Sequence, residues 1–164
     1  VDNYNPANYD KAYNSIVATG IPYLKYEGEG TIDHNFGRLI PFAQLYYYFA
    51  ETGYDDFYPD LNEALRNTTD DTSNWGVSDY EYNFVKKACE VSQINLIPFF
   101  EKWGFLYYTD NGREPFEVGD YGGKRTYSLA KSKVDTLKAE IQAKGYPEPT
   151  TDISLVKPNG ARIQ

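Results

Sequence analysis

Apolar residues in this chain recur mostly at intervals of three and four, the spacing that lines one face of an α-helix. Tyr9, Tyr13, Ile16 and Val17 make a first such stripe, which Gly20 and then Pro22 bring to an end. From Pro22 to Gly37 the helical period disappears. Glycines alternate with Glu27, Glu29 and Asp33, so this stretch reads as a loop with a short strand at Tyr23 to Tyr26. Leu39, Phe42, Ala43, Tyr46, Phe49 and Ala50 then give the clearest helix, with Pro41 in its first turn and Gly53 closing it. Its apolar residues cover much of the circumference, which predicts a central position. A shorter helix follows, with Pro59 and Asp60 in its first turn and Leu61, Ala64 and Leu65 facing inward.

Residues 67–78 are rich in Asn, Thr, Asp and Ser, and they predict an exposed loop anchored by Trp75. Ser78 and Glu81 have capping-box spacing ahead of Tyr82, Val85, Ala88 and Cys89 on one helical face. Leu96, Phe99, Phe100 and Trp103 form the next stripe, with Pro98 at its start and Gly104 at its end. Beyond Gly104 the texture changes. Phe105–Tyr108 and Phe116–Val118 read as hairpin strands around the turn Asp110-Asn111-Gly112, and Asp120 to Gly123 reads as a second turn. Ser128 then caps a helix with Ala130, Val134, Leu137 and Ile141 inside, ending at Gly145. The expectation is a mainly α multi-helical bundle with a small β-hairpin after the central helices. Residues 1–149 would form one helical domain, and 150–164 an extended tail with one extended segment at Ile153 to Val156.

Charge narrows the function. Lys and Arg number 16 against 24 Asp and Glu, a net charge of -8, and such a surface would repel a phosphate backbone. This excludes a nucleic-acid binder. No apolar run approaches the ~20 residues that span a bilayer. The chain begins at Val1 and contains no Met, which predicts a piece of a longer polypeptide.

One His and one Cys leave little for catalysis. A His/Cys zinc site would lack ligands, and any Ser or Cys nucleophile would have His34 as its only imidazole base. Glu27, Glu29, Asp33 and His34 could surround a metal, but their spacing matches no calcium loop, and the same residues serve as a solvated lead-in to a helix. Asp55-Asp56 and Asp70-Asp71 are adjacent pairs whose carboxyls point apart, unsuited to flanking a glycosidic bond. Cys89 sits at an apolar helical position, as a buried hydrophobe would. Catalytic and metal-ligating residues are therefore read as none.

The aromatic content is the surplus: 17 Tyr, 9 Phe and 2 Trp. Rings with polar tips suit both cores and docking surfaces. Three consecutive residues on a helix cannot all face inward, so Tyr46-Tyr47-Tyr48 must expose at least one. Tyr47 is the candidate, because Tyr46 shares the face of Phe42 and Phe49. Tyr47 and Trp75 are thus candidate contacts to a substrate or another domain.

Four segments carry a family resemblance: Arg38-Leu39-Ile40-Pro41-Phe42-Ala43-Gln44-Leu45-Tyr46, Asp56 to Arg66, Asn95 to Phe105, and Asp120-Tyr121-Gly122. From about Val17 to Pro149 the chain resembles the C-terminal region of M60-like (enhancin-type) zinc metallopeptidases of gut Bacteroidetes. Ala43 departs from the pattern, which carries Trp there. The family's catalytic unit is a His-Glu-x-x-His helix with a downstream Glu, in which the histidines hold zinc and the first Glu activates water. That motif does not occur in this chain. The resemblance implies a helical subdomain that supports the cleft and is inactive alone, with zinc in the parent protein. It further implies the N-terminal catalytic part of the same polypeptide as partner, mucin-like glycoprotein as substrate, and an extracellular or cell-surface location. The alternative is a stand-alone module binding carbohydrate or protein.

Overall fold

The computed structural model describes residues 5–26, 28, 29, 32–120 and 123–164. Among them the architecture is mainly α, with six α-helices and a short antiparallel hairpin after the central helices. Contacts divide the chain into two compact units.

The first unit comprises Val1–Tyr58, Pro98–Phe105 and Pro149–Gln164. Helix α1 (Pro6–Ala12) is capped by the Asn5 carboxamide, which accepts the Ala7 N–H at 3.0 Å. It runs on into a wider π-helical turn, Tyr13–Val17, and buries Tyr9, Ala12 and Ile16. Tyr23–Lys25 forms a 3-10 turn where a strand was expected, and the two-residue strands β1 (Gly28–Glu29) and β2 (Ile32–Asp33) pair just beyond it.

Helix α2 (His34–Thr52) begins well before Pro41, so the proline lies in the helix interior and not in the first turn. Tertiary contacts hold this added N-terminal stretch. The Arg38 guanidinium donates to the Leu24 carbonyl at 2.6 Å, and the Tyr26 ring lies where a Cβ on Gly37 would come within 2.1 Å of it. The early start also resets which face is inward. Ile40, Pro41, Gln44, Leu45, Tyr48 and Phe49 are buried, whereas Leu39 and Tyr46 are exposed. The expected apolar stripe is thus rotated by about one residue.

Trp103 and Phe100 are fully buried at the end of α5 (Ile97–Lys102), and Tyr23 stacks on Phe105 with centroids 3.8 Å apart. Gly104 has a φ of +77°, and a Cβ there would meet the Ile21 carbonyl at 2.5 Å, so only glycine fits this close crossing. The C-terminal segment does not extend and fray. Ile153–Leu155 and Pro158–Gly160 are 3-10 turns, and Val156 bridges Arg162. Ile153, Val156 and Ile163 are buried, and Lys157 pairs with Asp10 at 2.6 Å. Apolar burial and that ion pair outweigh the fraying entropy expected of a terminus.

The second unit comprises Pro59–Ile97 and Leu106–Glu148. Helix α3 (Phe57–Arg66) buries Leu61 here. Helix α4 (Val77–Ser92) starts at Gly76, whose N–H is accepted by Asp79 at 2.8 Å. Asp79 therefore closes the first turn in place of Glu81, which is drawn inward. The expected strand at Phe105–Tyr108 is a turn followed by irregular chain, with Leu106 at a φ of +56°. The hairpin instead pairs β3 (Phe116–Asp120) with β4 (Gly123–Tyr127), in register from Phe116↔Tyr127 to Asp120↔Gly123. Tyr121 and Gly122, part of the expected second turn, lie outside the described residues. Helix α6 (Lys131–Lys144) starts at Ala130, not Ser128, because Asp110 supplies the capping carboxylate to the Lys131 N–H at 3.0 Å. Val134, Leu137 and Ile141 form its inner stripe, and Gly145 ends it in the left-handed conformation.

Candidate functional site

His34 is the first residue of α2, with Asp33 and Glu29 on the short strands before it, while Glu27 lies outside the described residues. Among the described residues no group of three or more His, Cys, Asp or Glu side chains could hold a metal ion. The side chains of Glu29, Asp33 and His34 themselves lie outside those the structure describes. Asp55 and Asp56 are exposed. Asp70 and Asp71 serve their own loop, Asp71 accepting the Ser73 N–H at 3.0 Å, a bond that lowers its pKa. Cys89 is buried and its thiol is pushed up to about 11 by desolvation, which leaves it without nucleophilic character near neutrality.

The two aromatic candidates occupy separate settings. Tyr47 is half-buried, its ring edge-on to Tyr46 with centroids 5.3 Å apart. Tyr46 takes the exposed place expected of Tyr47, at 57% exposure, while Tyr48 is buried and donates or accepts at Thr150. The one-residue rotation of α2 accounts for this exchange. Trp75 is also half-buried and meets Tyr80 edge-on at 5.3 Å, with Tyr80 51% exposed. Each candidate thus belongs to an aromatic pair whose other member is the more open to solvent.

Two buried polar groups escape sequence reasoning. Gln44 is fully buried on α2. Its Nε2 donates to the carbonyls of Ser154 at 2.7 Å and Val156 at 3.1 Å, and its Oε1 accepts the Trp103 indole N–H at 2.8 Å. A single amide so satisfies three groups that would otherwise be unpaired in the core. In the other unit Glu81 is buried on α4. Its Oε1 accepts the Leu106 N–H and the Tyr127 hydroxyl, both at 2.7 Å, while Oε2 is buried without a partner. Desolvation pushes its carboxyl up to about 7, against the lowering effect of those two donors. The group has partners within its own unit and no opening to solvent, so it fits a structural post better than an acid catalyst. The signal available in the sequence was Glu81 at i+3 from Ser78 and i−4 from Val85, placing it on the inward face.

The profile of the peptidase M60, enhancin and enhancin-like family matches residues 2–104. No curated protein matches the chain. Among solved structures, a metallopeptidase from Bacteroides thetaiotaomicron is similar over 89% of this chain and 24% of its own, with 20% identity and a TM-score of 0.68. A metallopeptidase in complex with Tn antigen is similar over 81% of this chain and 22% of its own, at 21% identity and a TM-score of 0.62. A functionally unknown conserved protein from Bacillus anthracis strain Ames covers 95% of this chain and 24% of its own, at 21% identity and a TM-score of 0.62. The chain spans about a quarter of the length of these relatives.

Proposed function

The chain belongs to the M60 (enhancin and enhancin-like) peptidase family, and from that premise we propose that it is the C-terminal helical part of a longer zinc metallopeptidase. In this reading it is non-catalytic alone, packs beside the zinc-binding helix and forms one wall of the substrate cleft. The observation that carries the reading is a pairing of two facts. The family profile matches residues 2–104, and the His-Glu-x-x-His zinc motif does not occur in the 164-residue sequence, whose one histidine is His34. A family of metal-dependent peptidases would then keep its zinc in the part of the polypeptide outside these residues. One solved relative holds Tn antigen, which supports a glycosylated, mucin-like substrate for the parent and an extracellular or cell-surface setting. Tyr47 and Trp75 are the proposed contacts to substrate or to the catalytic part.

The test begins with the reading frame through this sequence, which should encode His-Glu-x-x-His upstream of Val1. The full polypeptide should then contain zinc and cleave a mucin-type glycoprotein in a chelator-sensitive way, while the 164-residue chain does neither. Tightly held zinc and chelator-sensitive cleavage by the 164-residue chain would overturn the proposal. The half-buried Trp75 beside the exposed Tyr80 favours a second reading, a self-sufficient carbohydrate- or protein-binding module. Calorimetric titration of the 164-residue chain with mucin-type glycans separates the two, since saturable binding lost in Trp75→Ala would support the module.

A further inference from the structure

Residues 39–50 of α2 carry no charge, although they form the middle of a 19-residue helix. One side of that segment is buried in its own unit through Ile40, Gln44, Leu45, Tyr48 and Phe49. The opposite side carries Leu39 at 58% exposure and Tyr46 at 57%, with Ala43 half-buried between them and Ala50 exposed beyond. Positions 39, 43, 46 and 50 are spaced by four, three and four, so they form one stripe about 16 Å long. Leu39, Tyr46 and Tyr80 are the exposed large hydrophobic side chains among the described residues, and two of the three lie on this stripe.

A helix face left to water ordinarily carries charged residues, and an apolar stripe of this kind marks a surface that another protein covers. A sugar is a poor fit for it. Gln44, the segment's one carboxamide, faces the other way with its bonds already satisfied, so the stripe has no amide or carboxylate to meet sugar hydroxyls. An apolar polypeptide surface needs no such groups. The solved relatives have about three quarters of their length outside the part this chain matches, enough polypeptide to supply one.

We propose that the α2 stripe of Leu39, Ala43, Tyr46 and Ala50 is the docking surface for the remaining, zinc-bearing polypeptide of the M60-type peptidase, which covers it with an apolar face. The proposal rests on the functional reading above and names the surface through which that reading works.

Hydroxyl-radical footprinting tests it, comparing the 164-residue chain with the full polypeptide encoded by its reading frame. Leu39 and Tyr46 should be oxidised readily in the 164-residue chain and several-fold more slowly in the full polypeptide. The variants Leu39→Glu and Tyr46→Glu should leave the melting temperature of the 164-residue chain unchanged and lower that of the full polypeptide. Equal oxidation in both, with His-Glu-x-x-His present upstream, overturns the proposal and leaves the functional reading standing. Protection that grows with the concentration of the 164-residue chain alone, or appears on adding a mucin-type glycan to it, also overturns it in favour of a second copy or a sugar. A reading frame without the zinc motif removes the functional reading and the proposal together.

Discussion

Burying the Glu81 carboxyl with one oxygen unpartnered makes folding sensitive to its proton. Its pKa rises on folding from the ordinary glutamate value of 4.5 to about 7, so the folded chain binds the proton more tightly than the unfolded chain does. The stability this contributes is complete below about 4.5 and is lost as pH climbs through 7. The ceiling on that loss is about 3 kcal/mol. Glu81→Gln keeps an acceptor for Leu106 and Tyr127 but has no charge to desolvate. Urea denaturation at pH 5 and pH 8 should show the parent chain losing more stability over that interval than the variant; parallel losses would refute the buried-proton account. Gln44 makes the opposite kind of contribution, since all its bonds are made. Gln44→Leu strands the Trp103 indole N–H and two carbonyls in the core, and should cost about 2–4 kcal/mol in the same assay. Neither role was legible beforehand, because a polar residue on an apolar helix face acquires meaning only from partners such as Tyr127 or Ser154, which lie 46 and 110 positions away in the sequence.

At the scale of elements, local pattern and tertiary contact divide the outcome. The inner stripe of α6, the glycine stops at Gly20 and Gly145, and the existence of every α-helix followed from spacing and capping rules. The phase of α2 did not. An almost uniformly apolar segment has no polar side to orient it, so its inward face is chosen by contacts such as Tyr26 against Gly37. Gly37→Ala places a methyl on the Tyr26 ring and should destabilise the chain by about 1–3 kcal/mol. The double variant Gly37→Ala/Tyr26→Ala should lose less than the two single changes summed, which a double-mutant cycle in urea measures directly. The hairpin was displaced for a related reason. Phe105–Tyr108 has strand composition, but Leu106 in a left-handed conformation and its N–H on Glu81 commit the segment to a turn. The strand role passes to Gly123–Tyr127, whose exposed polar residues gave little signal.

For the molecule as a whole, the resemblance carried by a few phrases of sequence pointed to the family that the profile match establishes. The candidate contacts were legible only as aromatic surplus, since exposure at Tyr46 or Tyr80 depends on which way a helix faces. If the zinc ligands lie outside this sequence, as proposed above, the 164-residue chain should take up no stoichiometric zinc. Dialysis against zinc followed by elemental analysis should give well under one ion per chain, and a full equivalent would count against placing the zinc site in the rest of the polypeptide.

Cys89 gives this polypeptide an internal clock. It is the sole thiol, completely enclosed on α4, and stays protonated near neutrality. A disulfide reagent can reach it only while the surrounding helices part, so the speed of modification counts those openings one molecule at a time. Because every count comes from the same sulfur, breathing of the 59–97 and 106–148 region can be timed without introducing a label.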